Sequence, residues 1–310
     1  MSAIARRIML KTIACAVAAP AAQTGPRRIA LHLTPGSIGV KADQRETIDL
    51  AARFGFEAVE PYAAYLAQLP EADFSRLLDY LRSRNLVFGN AGLTVEFRRS
   101  DEDFRQGIAP FPDICRRLRA ANVTRVTTWI SPAHDTLTFL QNMRRHAARL
   151  REVATILGDN GQRLGLEYVG PKTLWTSRRY PFVHSMAEMR DLIGEIGRPN
   201  VGFVMDSWHW YTAGEGQAEL LTLKKEEVVS LDLNDAPSGI PVDQQIDSAR
   251  ELPMATGVID MKLFLNTLHQ IGCDAPARCE PFNAKLRAMP RDEALAATAA
   301  SMKKALALIG

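Results

Sequence analysis

Five carboxylates stand where runs of strand-forming residues end: Glu60, Glu167, Asp206, Asp232 and Glu280. The clearest run is Val201-Gly202-Phe203-Val204-Met205, mostly apolar with two β-branched members, which reads as a short buried strand stopping at Asp206. His209 follows three residues later. A single strand-end aspartate could do no more than cap the next segment, since Asp is a favoured N-cap. Several carboxylates converging on one mouth would repel unless something positive lay among them. A divalent metal is the economical solution, and an oxygen-rich donor set favours hard ions, Mn2+ or Mg2+.

Convergence requires a fold that gathers strand ends. Strands are expected over 28–33, 56–60, 86–90, 125–130, 163–169, 201–205, 228–233 and 277–282, with helical spacing between them. The helices run over about 45–54, 72–84, 103–121 (broken early by Pro110 and Pro112), 137–157, 185–196, 219–227, 260–271 and 292–308, and Gly55 stands as a C-terminal stop after the first. Eight strand–helix alternations without a composition break predict an α/β fold, a single-domain (β/α)8 TIM barrel over 27–310. An open doubly wound sheet binding a dinucleotide would need a Gly-rich turn after its first strand, which 33–39 lacks. In the barrel, residues at the carboxyl ends of strands share one mouth. His32 ends the first strand and faces it. Trp129, Trp208 and Trp210 could stack on flat faces of a ligand there, and Lys172, Arg178 and Arg179 form a loop that could hold an anionic group.

The order of these fragments resembles the sugar phosphate isomerase/epimerase family with a xylose-isomerase-like TIM barrel. Gly55-Phe56-Glu57-Ala58-Val59-Glu60, Leu166-Glu167, Asp206-Ser207-Trp208-His209, Leu233-Asn234-Asp235-Ala236, Gly257-Val258-Ile259-Asp260 and Cys279-Glu280-Pro281-Phe282 carry the resemblance. It implies metal ligands at Glu167, Asp206, Asp232 and Glu280, with Asp232 standing where the family has histidine. It further implies Glu167 and Glu280 as the pair that removes and returns a proton next to a carbonyl, through an ene-diolate. His209 and Arg250 would bind substrate oxygens, His209 alternatively entering the metal shell, and His32 and Trp208 are further substrate-binding candidates. Ketose 3-epimerases carry another Glu where this chain has Thr173, which argues against that activity in its simplest form. The implied function is a metal-dependent sugar or keto-sugar isomerase or epimerase. The alternatives are a lyase or dehydratase acting on an inosose or 3-keto-glycoside, and a non-catalytic sugar-binding protein.

Charge distribution bears on partners and location. The chain of 310 residues carries 38 Lys and Arg against 35 Asp and Glu, yet no acidic residue precedes Asp43. Arg6-Arg7-Ile8-Met9-Leu10-Lys11, a short apolar run and Pro20-Ala21-Ala22-Gln23 resemble a twin-arginine export signal over 1–25. Cleavage there removes Arg6, Arg7 and Lys11, and with them the whole basic excess. The expected location is periplasmic or secreted, with a cytoplasmic protein as the alternative. A near-neutral mature chain predicts a small-molecule sugar partner, no nucleic acid, no membrane in the mature form, and leaves a homo-oligomer open. Cys115, Cys273 and Cys279 have no zinc-finger spacing and read as small buried hydrophobes.

Overall fold

Residues 29–310 are described by a computed structural model; the basic leader and Cys15 lie outside them. Eleven short strands occur among the described residues: β1 His32–Leu33, β2 Ala58–Val59, β3 Val87–Phe88, β4 Ala91–Gly92, β5 Arg125–Trp129, β6 Ala133–His134, β7 Arg163–Glu167, β8 Tyr180–Pro181, β9 Val201–Asp206, β10 Val228–Asp232 and β11 Ala277–Arg278. All but β6 and β8 form one curled parallel sheet. β1-β2-β3 and β11-β10-β9-β7-β5-β4 are its two arcs, and a parallel bridge from Leu31 to Ala277 joins them. With β3 and β4 as halves of one strand, the expected eight-stranded (β/α)8 barrel results. No helix among the described residues is long and apolar enough to cross a membrane.

The third strand splits for a reason visible at Gly89 and Asn90. A Cβ on Gly89 would lie 2.9 Å from the His32 ring, so only glycine lets the ring stand there. Asn90 turns inward, donating to Thr127 Oγ1 at 2.9 Å and accepting from Ser230 Oγ at 3.1 Å. On β9, Gly202 serves a tighter approach: a Cβ would lie 2.1 Å from the Glu227 carbonyl oxygen on the connection entering β10.

Local chemistry sets the helices. Asp43, Ser100 and Thr138 begin Gln44–Phe54, Asp101–Ile108 and Phe139–Asp159 with capping boxes, and Gly55 ends the first at φ 75°. The helix expected over 103–121 is two, Asp101–Ile108 and Phe111–Ala120, because Pro110 has no N–H to continue the first. The segment expected as one helix over 219–227 is Gln217–Leu221 followed by a 3-10 turn, Lys225–Glu227. Glu227 accepts the Lys224 N–H and restarts the chain after Leu221. Cys115, Cys273 and Cys279 are free and buried, as expected.

His146 shows how firmly the outer layer is packed. Its ring lies between Phe97 and Phe182, with centroids at 5.5 and 5.1 Å, and Nδ1 meets the Asn142 carbonyl at 3.0 Å. Burial pushes its pKa down to about 3, below the value of the unfolded chain, so protonation opposes folding. Its stability contribution is complete above the unfolded pKa and is lost as pH falls from about 6.5 towards 3. Replacing His146 with Phe should therefore reduce the acid slope of unfolding stability by up to about 1.4 kcal/mol per pH unit. Urea titrations between pH 6.5 and 4 measure this, and an unchanged slope would contradict it.

Candidate functional site

Register places charged residues side by side at the mouth. In the parallel ladders Asp206 is opposite Asp232, Asp232 is opposite Arg278, and Trp129 is opposite Glu167. Side chains at matched positions of parallel neighbours point the same way, so Asp232 is flanked by a like charge and an opposite one. Glu280 lies two residues beyond Arg278 and faces the same side. All four expected ligands thus meet here, and Glu60, its carboxyl raised by burial, feels both Arg278 and Glu280.

Asp206 does two jobs. Oδ1 accepts the Trp208 N–H at 2.8 Å, capping the short helix Ser207–Thr212, and takes Asn234 Nδ2 at 3.0 Å. Oδ2 takes Asn234 Nδ2 at 3.1 Å and Arg250 Nη1 at 2.9 Å. Asn234 ties neighbouring strand ends together, since its Oδ1 accepts the Glu280 N–H at 2.9 Å. Arg250 is almost wholly buried. It donates to Asp247 Oδ1 at 2.7 Å and to the Glu280 carbonyl at 3.2 Å, and its Cζ lies 4.7 Å from the centre of the Phe282 ring. Phe282 has φ 46°, an unusual value for a bulky residue, which is the bend that brings its ring beneath the guanidinium.

His209 is held from behind. Gly170 donates its N–H to Nδ1 at 3.2 Å, and a Cβ on Gly170 would lie 2.5 Å from the His209 carbonyl oxygen, so glycine is required for that approach. Burial first, then Arg250, pushes the His209 pKa well down, so the ring is neutral with one N–H. Nε2 lies 3.9 Å from Glu167 Oε1 and 3.8 Å from Asp206 Oδ2, and Arg250 Nη2, which can only donate, lies 3.3 Å from it. Donors therefore approach both ring nitrogens, the Gly170 N–H at Nδ1 and Arg250 Nη2 at Nε2, and a neutral ring accepts from only one of them.

Glu167 Oε1 is buried without a hydrogen-bond partner. Burial, reinforced by Asp232, Asp206 and Glu280, raises its carboxyl well above the usual range. Burial also raises Glu280, against the pull of Arg278, and lifts Asp206 to about 7, against the pull of Arg250. A cleft of about 390 Å3 opens over this group, within the usual size of a small-molecule site, with Trp129, Arg178, His209 and Phe282 among its walls. The two remaining candidates lie elsewhere. His32 is buried against Gly89, with burial pushing its pKa down to about 3, and Trp208 is enclosed in the core behind Arg250.

Donor type and spacing are those of a divalent-metal site. Glu167, Asp206 and His209, and separately Glu167, Asp232 and Glu280, each offer ligand atoms within 4.8 Å of one another. The ring of four carboxylates expected from the sequence nevertheless does not fit a metal as it stands. Both Asp232 oxygens are bonded to Arg278, Asp206 Oδ2 is bonded to Arg250, and Arg250 Nη2 lies 3.3 Å from His209 Nε2. Arg278 is the residue that sequence reasoning missed. Its signal was parity: it stands two residues before Glu280 and so shares its face.

The comparisons agree with the barrel. A xylose isomerase-like TIM barrel family matches residues 48–305. Inosose isomerase of Bacillus velezensis is 22% identical over 257 residues, covering 81% of this chain and 88% of that protein. A xylose isomerase domain protein of Alicyclobacillus acidocaldarius superposes with a TM-score of 0.79 at 30% identity, covering 90% of this chain and 98% of its own. The IolI protein with a bound zinc atom superposes at 0.74 and 18% identity, over 90% and 98%.

Truncating Arg250 to Ala would strip Asp206 and Asp247 of their guanidinium and leave Asp206 to stay charged without it or to take up a proton in the interior. The expected loss is about 3–5 kcal/mol of unfolding stability, read by urea denaturation. A loss below about 1 kcal/mol, the size of an exposed pair, would contradict the burial described.

Proposed function

Because the chain belongs to the xylose isomerase-like TIM barrel family, we propose that it is a sugar or keto-sugar isomerase or epimerase that moves a proton next to a carbonyl. The carrying observation is Glu167 Oε1, a buried carboxylate oxygen without a partner, beside Glu280 at the floor of the cleft. A general base works best with its pKa near the working pH, and burial of Glu167 acts in that direction. The inosose isomerase relative supports the substrate class, a polyhydroxylated ketone.

In this reading Glu167 and Glu280 are the transfer pair. One removes the proton α to the carbonyl, the C–H electrons form the ene-diolate double bond, and the other returns a proton to the opposite face or to the neighbouring carbon. His209 and Arg250, both lining the cleft, contact substrate oxygens, and Trp129, 45% exposed, covers a sugar face. A divalent ion, Mn2+ or Mg2+ by the hard-donor argument, is the family's alternative source of positive charge. A β-elimination begins with the same proton removal, and a protonated Glu167 would serve it by protonating the leaving group. The basic, acid-free segment over 1–25 supports export, with periplasmic or secreted location as the corresponding proposal and a homo-oligomer left open.

Solvent exchange tests the reading. In D2O, a panel of inososes, keto-sugars and 3-keto-glycosides should include at least one compound that gains deuterium next to its carbonyl. Isomerisation or epimerisation gives exchange without elimination, whereas a lyase releases the β-group. Glu167→Gln and Glu280→Gln should each slow exchange by at least about 100-fold while circular dichroism stays unchanged. Exchange that survives in either variant would refute the assignment.

A further inference from the structure

The four carboxylates of the mouth are accompanied by two guanidinium groups, and these occupy positions a metal would need. Arg278 Nε donates to Asp232 Oδ1 at 2.8 Å and Nη2 donates to Oδ2 at 2.8 Å, a two-pronged pair that engages both oxygens. Arg278 Nη2 also lies 3.8 Å from Glu280 Oε1. On the other side, Arg250 Nη1 lies 2.9 Å from Asp206 Oδ2 and 4.0 Å from Glu280 Oε2. Glu280 therefore stands between the two guanidiniums.

A divalent ion ligated by Asp232 would sit about 2.1 Å from one of its oxygens. That would put it within about 5 Å of the Arg278 guanidinium, a repulsive arrangement in a buried site. One side chain would have to leave. Two guanidiniums already bring the same total positive charge as one divalent ion, fixed in place by Asp232 on one side and by Asp206 and Asp247 on the other. Arg278 is also accessible to substrate: it forms part of a second cleft of about 230 Å3, which meets the first at Trp129, Glu167 and Glu280.

We propose that Arg278 and Arg250 supply the positive charge of this centre in place of a divalent metal, with Asp232 acting as the anchor of Arg278 and not as a ligand. Resting on the proton-transfer reading above, the role of Arg278 is electrostatic catalysis. As the α-proton passes to a carboxylate, the carbonyl π electrons move onto oxygen, and the fixed N–H groups of Arg278 stabilise that oxyanion. Reprotonation of the ene-diolate returns the electrons and restores the carbonyl, so nothing is oxidised or lost. A planar guanidinium with a forked set of donors suits the adjacent oxygens of such an intermediate. Asp232 and Arg278 act as one unit: a neutral imidazole at position 232 could not pair with a guanidinium as a carboxylate does.

The test combines metal content with exchange. The protein is dialysed separately against Mn2+, Mg2+ and Zn2+, and retained metal is measured by mass spectrometry. Deuterium exchange is then followed with and without EDTA. The expected result is well below one retained equivalent per chain for every ion, and exchange indifferent to chelator. Arg278→Lys, which keeps the charge and loses the fork, should slow exchange by at least about tenfold without changing metal content. Arg278→Val should free both Asp232 oxygens and gain Mn2+ affinity, and Asp232→His with Arg278→Val should gain more, at least about tenfold over the unaltered chain. Either folded variant suffices if the other fails to fold. One retained equivalent in the unaltered chain, with exchange abolished by EDTA, would overturn the proposal and leave the isomerase reading standing. Folded variants that gain no metal affinity would also overturn it. Absence of exchange in all conditions would remove the isomerase reading, while metal gained by the variants would still support the charge assignment.

Discussion

The structure depends on keeping negative charge buried at adjacent strand ends. Asp206 and Asp232 are matched neighbours on β9 and β10 and are both fully buried, an arrangement that water does not screen. It persists because each carboxylate has a guanidinium of its own, Arg250 for Asp206 and Arg278 for Asp232. Buried pairs of this kind add little net stability over apolar packing, but losing one partner is costly. The barrel therefore tolerates the cluster without being stabilised by it, which is what a site maintained for chemistry would look like.

Much of the rest follows from holding these pairs in register. The Asn234 side chain bonds Asp206 and the Glu280 backbone, so strand ends that are distant in sequence move together. The long segment after β10 returns Arg250 to the mouth. It is anchored at Asp235, whose carboxylate accepts the N–H groups of Thr256, Gly257 and Ile259. Below the mouth, Asn90, Thr127 and Ser230 form a hydrogen-bonded layer inside the barrel. This layer gives the interior a polar floor without an uncompensated charge.

The barrel was legible because alternating strand and helix periodicities leave a signal at each element, and because glycine and capping residues mark the ends. Glu167, Asp206 and Glu280 were legible for the same reason: a carboxylate at the end of an apolar run has few reasons to be there. Arg278 was harder. Parity shows that it shares a face with Glu280, but its partner Asp232 lies 46 residues away, and only the β10–β11 register brings them together. His32 and Trp208 show the opposite failing. Their positions near strand ends are as expected, yet pattern does not encode depth or the direction of the turn that follows. Gly89 leaves room for the His32 ring below the mouth, and the cap at Asp206 sends the Trp208 indole into the core. The setting of the His209 ring depends on Gly170 and Arg250, contacts between separate segments of the chain that no local pattern reports.

If guanidinium, and not metal, balances the carboxylates, anomalous diffraction from crystals grown and soaked in Mn2+ will show it. No anomalous peak is expected at coordination distance from Glu167, Asp206 or Glu280, and Arg278 should remain bonded through Nε and Nη2 to both oxygens of Asp232. A fully occupied peak ligated by Asp232, with Arg278 turned away from it, would mean that a metal holds the charge instead.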